Sequence, residues 1–216
     1  MQFLRENKGL LFPAFISISL FFFDGSVVMA IRDFWKSNPE ICHLHRLFDP
    51  VLKFISNGAT LIGASIIILY GRRHNRKLYD AGRSLFISLI SAGVAVQVLK
   101  HLIGRARPRI TDTLVFIGPT LKSGYDSFPS GHTALAFPLA YTLSRYFPEY
   151  RFLFYSFAVI VGLDRLDGLS HFPSDVVAGA ILGTVVVKIL SARSLIFKSD
   201  LIGDSKLEDL CYYKTD

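Results

Sequence analysis

Three short clusters in this 216-residue chain carry side chains able to handle a phosphoryl group. They are Lys100 with Arg107-Pro108, Pro129-Ser130-Gly131-His132, and Asp164-Arg165 followed by His171 and Asp175. Lys100 and Arg107 are seven residues apart, which on a helix puts them on one face about 10 Å apart. Pro108 disfavours helix at Arg107 and frees its guanidinium to turn toward a ligand. Pro129 suits a first helical turn, so the Ser130 and Gly131 amides are expected to be unpaired donors at a positive dipole end, a natural anion site. Gly131 also permits close backbone approach, and Arg165 offers a planar fork for two phosphate oxygens.

The two histidines call for different roles. Asp175 follows His171 by four residues, one helical turn on. A carboxylate so placed can fix the imidazole tautomer, leave the other nitrogen as a nucleophile, and stabilise the positive charge that builds as nitrogen bonds to phosphorus. His132 is then free to protonate the leaving oxygen and later activate water, a contribution of about 10²–10⁴-fold. The same residues permit another reading, a metal site of His132, His171 and Asp175. The neighbouring Lys100, Arg107 and Arg165 would repel a metal ion, so neither metal nor cofactor is expected.

The elements that must position these clusters are membrane helices. The chain is 51% hydrophobic, 13% aromatic and only 19% charged, with a mean hydropathy of +0.40. A soluble domain would carry about 25% charged residues. Six apolar stretches stand out, near Leu10–Ile31, Val51–Tyr70, Ser84–Ile103, Pro129–Phe147, Phe152–Leu166 and Phe172–Leu190. The expected fold is therefore all-α, a polytopic membrane protein of six transmembrane helices with no separate soluble domain. The first stretch reads as an uncleaved helix, since its apolar run continues past Asp24 without a small-residue cleavage site. Residues 1–198 form the membrane domain and 199–216 a polar tail. Between the first two spans, Ile41, Leu44, Leu47 or Phe48 and Val51 recur at helical spacing and Trp35 suits the headgroup layer, which predicts an interfacial helix within 32–50.

Charge gives the orientation. The formal net charge is +7, but no basic stripe with interleaved aromatics points to nucleic acid. With six spans, Arg5, Lys8, Arg72, Arg73, Arg76, Lys77, Arg83, Arg145, Arg151, Arg193 and Lys198 share one side, which the positive-inside rule makes cytoplasmic. The three clusters then gather on the outer face. Lone intramembrane charges often snorkel, whereas several cations, two histidines and a carboxylate at one depth mark a site. Cys42 and Cys211 are far apart, lack metal spacing and read as free thiols.

At these residues the sequence resembles the type-2 phosphatidic acid phosphatase superfamily, whose motifs are K-x6-RP, PSGH and SR-x5-H-x3-D. Lys100 to Arg107-Pro108, Pro129 to His132, and Asp164-Arg165 to His171 to Asp175 match their spacing, with Asp164 standing where the family usually has Ser. The resemblance implies a metal-independent hydrolase acting on a phosphorylated membrane lipid through a phosphohistidine at His171. In that scheme Lys100, Arg107, Ser130, Gly131 and Arg165 hold the phosphoryl oxygens, His132 is the acid and Asp175 orients the nucleophile. Family substrates include phosphatidic acid, phosphatidylglycerol phosphate, undecaprenyl diphosphate and the 1-phosphate of lipid A. The compact chain is most like bacterial members, which implies the inner membrane with the site facing the periplasm. Soluble vanadate-dependent haloperoxidases share the motifs, but the membrane composition counts against that branch. A phosphotransferase would use the same intermediate. A transporter or flippase would need charges in mid-span rather than at one face.

Overall fold

Asn, Gly and Pro residues between the apolar runs stand at many of the helix starts and stops. The computed structural model of the chain describes residues 19–71, 75–193, 195 and 196. Among the described residues the helices are α1 (Asp24–Ser37), α2 (Pro39–Ile55), α3 (Gly58–Gly71), α4 (Arg76–Ile103), α5 (Gly131–Tyr146), α6 (Arg151–Asp167) and α7 (Pro173–Ala192). A 3₁₀ turn at Pro148–Tyr150 leads into α6. Those residues form no strand, only an isolated antiparallel bridge between Arg105 and Phe116. The all-α class expected from sequence is what is found.

The spans are less uniform than the six expected. Helices α4 and α7 are each long and apolar enough to cross a membrane, and the α2–α3 pair adds a third crossing if its 51° bend is allowed. That pair replaces the single helix expected over Val51–Tyr70. The break falls at Ser56-Asn57, where Ser56 Oγ turns back to the Leu52 carbonyl at 2.6 Å and Asn57 Oδ1 accepts from the Ala59 amide at 2.8 Å. Both side chains compete with helical backbone bonds. Helices α5 and α6 hold 16 and 17 residues, or about 25 Å of rise against a hydrocarbon core of about 30 Å. Their missing length is at the site, where α5 begins beside His132 and α6 ends beside Arg165. The amphipathic connector expected over 32–50 is the end of α1 and most of α2, divided at Asn38 because Pro39 opens the second helix. The early part of the first stretch, Arg5, Lys8, Arg72, Arg73, Lys198, Cys211 and the polar tail lie outside the described residues, as does the side chain of Cys42.

Helix α5 is the central element, packed on α4, α6 and α7. Its buried face is small: Ala134, Ala136 and Ala140 are fully buried. Gly179 and Gly183 of α7 meet it so closely that a Cβ at either would lie 2.5 Å from a carbonyl oxygen of Ser130 or Ala134. Small residues of this kind let helix backbones approach where lipid supplies no hydrophobic drive. The opposite surfaces of α4 and α6 present exposed Val94, Val98, Ile160 and Leu163, as suits contact with acyl chains.

Between α4 and α5 a long loop folds over one end of the helices. It starts at Gly104, a left-handed residue (φ 61°) whose amide caps α4 at the Lys100 carbonyl. It is then pinned by bonds from the Arg107 amide to Gly124, from the Ser127 amide to Arg105, and from the Ser130 amide to Asp175, all 2.9–3.0 Å. Arg32 of α1 clamps its middle by donating to Asp112 (2.8 Å) and to the Pro108 carbonyl (2.5 Å).

Candidate active site

The folded loop and the ends of α4–α7 bring all three sequence clusters around one cavity of about 740 Å³. Lys100, Arg107, Gly131, His132, Arg165 and His171 line it, and apolar residues of α3, α4 and α5 form its remaining wall. Lys100 arrives on the last turn of α4, where a cation complements the helix C-terminus. His132 sits in the first turn of α5, and Arg165 in the last turn of α6.

His171 lies in the short connection before α7 and is almost completely buried. Its Nδ1 is 2.7 Å from the Ser127 carbonyl oxygen and 3.7 Å from Asp175 Oδ2. A carbonyl can only accept, so Nδ1 carries the proton and Nε2 keeps the lone pair. The backbone of the loop thus makes the contact expected of Asp175, and the carboxylate acts on the ring as a nearby charge. Burial lowers the His171 pKa below its ordinary value, outweighing the negative charge of Asp175, which raises it.

Asp175 is itself held on every side. Arg105 Nη1 donates to Oδ1, while Ser127 Oγ (2.5 Å) and the Phe172 amide (2.8 Å) donate to Oδ2. The last of these bonds caps the N-terminus of α7 and links the carboxylate's orientation to the start of the helix. With its oxygens so committed, Asp175 is poorly placed to bind a metal, and among the described residues no group of three metal-ligating side chains gathers.

Two expected features differ. The Ser130 amide is not a free donor, because it bonds the Asp175 carbonyl at 2.9 Å, and the Ser130 hydroxyl pairs with Thr133 at 3.0 Å. The anion-facing amides of the turn are therefore those further into the first turn of α5. Lys100 and Arg107 also do not face an open cradle. Arg107 donates from Nε and Nη2 to the two oxygens of Asp126 at 2.9 and 2.6 Å, and Lys100 donates to the Asp126 carbonyl at 2.6 Å. Burial pushes the Asp126 carboxyl up, but the Arg107 hydrogen bond and the two cations outweigh it and hold its pKa at about 2. Asp126 is thus ionised at any working pH and holds the Arg107 fork.

Asp164, the departure from the family motif, contacts the Arg165 guanidinium, and both are nearly buried. Arg165 also faces Asp49 of α2 at 3.8 Å. If these contacts hold the guanidinium in place, Asp164→Ser is expected to lower kcat about ten- to hundredfold with little change in KM. An unchanged kcat in a detergent assay would count against that support. Asp126, Ser127, Arg105 and Asp24 were not singled out as site residues from sequence. Only Asp24, an acidic residue interrupting an apolar run, carried a local signal.

A loop folded over short helix ends, with three cations and two histidines round one cavity beside lipid-facing helices, defines a membrane phosphoryl-transfer enzyme. The sequence model of the PAP2 superfamily matches residues 81–195, and the chain belongs to that superfamily. It is a phosphoric ester hydrolase by class. The chain is 32% identical over 205 residues to a lipid A 1-phosphatase of Rhizobium johnstonii, covering 85% of this chain and 80% of the relative. The fold is similar to the crystal structure of LpxE from Aquifex aeolicus (TM-score 0.52, 25% identity, 66% of this chain and 82% of that one). It is also similar to a PAP2-type phosphatidylglycerolphosphate phosphatase of Bacillus subtilis (TM-score 0.53, 25% identity, 84% of this chain and 97% of that one).

Proposed function

We infer that the chain removes a phosphate from the headgroup of a membrane lipid through a covalent phosphohistidine at His171, with lipid A 1-phosphate as the leading substrate. The observation that carries this reading is the two-sided cavity, cationic at its base and apolar along one wall. Such a site fits an anionic headgroup attached to acyl chains. The relatives' names support the choice of lipid A; phosphatidylglycerol phosphate, undecaprenyl diphosphate and phosphatidic acid are the other candidates.

In the first half-reaction His171 Nε2 attacks phosphorus, the N–P bond forms, and the P–O bond to the lipid breaks as His132 gives its proton to the leaving oxygen. Lys100, Arg107, Arg165 and the first-turn amides of α5 hold the equatorial oxygens, the phosphoryl group having replaced Asp126 at Arg107. In the second half-reaction His132 takes a proton from water, the water oxygen bonds to phosphorus, and the N–P bond breaks to release phosphate. No step needs a metal, because the cations already supply the positive field that stabilises the transition state. The six-span layout with an amphipathic segment between the first two spans, an inner-membrane location and a periplasmic site complete the reading, the last from the excess of basic residues on the opposite side.

Phosphate release by the purified protein in detergent, assayed over the four lipid phosphates in the presence of EDTA, tests this. We expect release from lipid A 1-phosphate that is unaffected by the chelator and inhibited by vanadate, which mimics a five-coordinate phosphoryl group. Loss of activity in EDTA with recovery on adding Zn²⁺ or Mg²⁺ would overturn the metal-independent scheme. Release only from another lipid on the panel would overturn the substrate assignment.

A further inference from the structure

Behind His171 lies a buried group of charges that the reaction scheme has not used. Asp24, at the first turn of α1, accepts from Arg105 Nη2 at 2.7 Å and from the Ser174 amide at 2.9 Å, and the Ser174 hydroxyl also donates to it. Arg105 donates in turn to Ser174 Oγ (2.7 Å) and to Asp175. Asp24, Arg105, Ser174 and Asp175 are all fully buried. The Arg105 guanidinium is further enclosed by the rings of Phe172, Phe21 and Phe116, with centroids 4.2, 4.9 and 5.6 Å away.

The charge balance of this group is uneven. Two carboxylates share one guanidinium, leaving one negative charge in excess in a dry environment. Buried ions are costly unless matched, and truncating one member of a matched set costs more than the set is worth. Lys100 acts on Asp175 from the cavity side, and the charge that appears beside the carboxylate during the reaction is that of His171, 3.7 Å away, which becomes positive when Nε2 bonds to phosphorus. If Arg105 met Asp175 alone, the pair would be neutral and the field at the imidazole weak. Asp24 draws the guanidinium's charge away from Asp175 and restores that field.

We propose that Asp24 and Arg105 are positioning residues for the nucleophile: Arg105 fixes the Asp175 carboxylate beside His171, and Asp24 keeps Arg105 from neutralising it. This rests on His171 being the nucleophile. The α1 helix is thereby part of the active site although it contributes no side chain to the cavity wall.

The test is the pH profile of kcat/KM. A nucleophilic imidazole must be neutral, so activity rises with pH through the His171 pKa and gives an acid limb. Asp24→Asn is isosteric, keeps one of the two oxygens that accept from Arg105 and Ser174, and makes the buried group neutral. Protonated His171 is then less favoured, so the acid limb is expected to move about one pH unit lower. The forming imidazolium is also less stabilised, so kcat is expected to fall about tenfold. The double variant Asp24→Asn with Arg105→Gln returns the group to one net negative charge, and the limb should move back toward its original position. Lys100 of α4, Arg107 of the loop, His132 of α5 and Asp175 of α7 also face His171, and Arg165 of α6 faces His132. All of them are identical across the set, so differences between the variants report the buried group. Vanadate affinity within a few-fold of the unmodified enzyme would show an intact site.

A kcat loss in Asp24→Asn with an unmoved limb, or a double variant no closer to the original limb than the single one, would overturn the proposal and leave the group a structural tie. If Asp24→Asn does not fold, the double variant decides, since a wild-type limb there supports the charge argument and a displaced one refutes it. Turnover surviving in His171→Ala would remove the nucleophile reading itself, a different failure from an unmoved limb in an enzyme that His171→Ala inactivates.

Discussion

His171→Ala is expected to lower turnover by about 10⁴-fold or more, which corresponds to roughly 5 kcal/mol or more of lost transition-state stabilisation. The size follows from the proposed role, in which no covalent intermediate forms without the imidazole and the cations alone must support direct attack by water. The substitution also has a structural cost. His171 is 3% exposed and donates to the Ser127 carbonyl, and leaving that acceptor unpaired costs about 1–3 kcal/mol. His171→Asn keeps a donor near Ser127 while removing the nucleophile, and it should be equally inactive. Single-turnover phosphate release checks both variants, with melting in detergent as the measure of folding. Either variant retaining more than about one per cent of normal turnover would be inconsistent with a phosphohistidine.

The second large effect is expected at a residue that carries no side chain. Gly179→Ala places a methyl carbon 2.5 Å from the Ser130 carbonyl oxygen and 3.3 Å from Thr133 Cβ. The nearest obstacle is backbone, so α7 and the start of α5 must move apart. Ser130 is the residue from which α5 grows, its carbonyl accepting from the Ala134 amide at 3.0 Å. Displacing it shifts His132 and the anion-facing amides against His171. A misplacement of about 1 Å costs about 10²-fold in rate, and overpacking costs about 1–3 kcal/mol of stability. We expect kcat to fall about a hundredfold with a lower melting temperature. Gly63→Ala is the control, because nothing lies within 4 Å of its added carbon, and it should leave both quantities unchanged.

What could be read in the chain and what could not divide along a physical line. Lys100, Arg107, His132, Arg165, His171 and Asp175 were legible because each sits in or close to a helix end at fixed spacing from a Pro, a Gly or another charged residue. The structure brings all of them to one centre. Arg105 escaped because it stands two residues from Arg107 in a basic loop, where any cation reads as solvated. Its partners, Asp24 and Asp175, are 81 and 70 residues away, and nothing local reports such a pairing. Asp24 did carry a signal. A carboxylate inside an apolar run needs a buried cation or a hydrogen-bonded neighbour. The free Ser130 amide was expected from the helix start alone, and tertiary contact with the Asp175 carbonyl overrode it. The kink at Ser56-Asn57 was lost for a similar reason. Hydropathy averages over a window, while a helix break is decided by two side chains.

That kink bears on how substrate and enzyme meet. Asn57 and Gly58 line the cavity at one edge, and Ile90, Val94 and Val98 of α4 line it at another. The last two of these are 61% and 52% exposed on the outer surface of the helix. With these exposed apolar side chains facing lipid, the cavity would open sideways, into the leaflet. A lipid can slide its headgroup into the cradle while its chains stay among their neighbours, so the cost of extracting about 0.8 kcal/mol of hydrophobicity per methylene is never met. Encounter is then a diffusion problem in two dimensions. The quantity that sets the rate is the mole fraction of substrate in the sheet around the enzyme. Adding inert lipid is then expected to slow the reaction, and adding water is not.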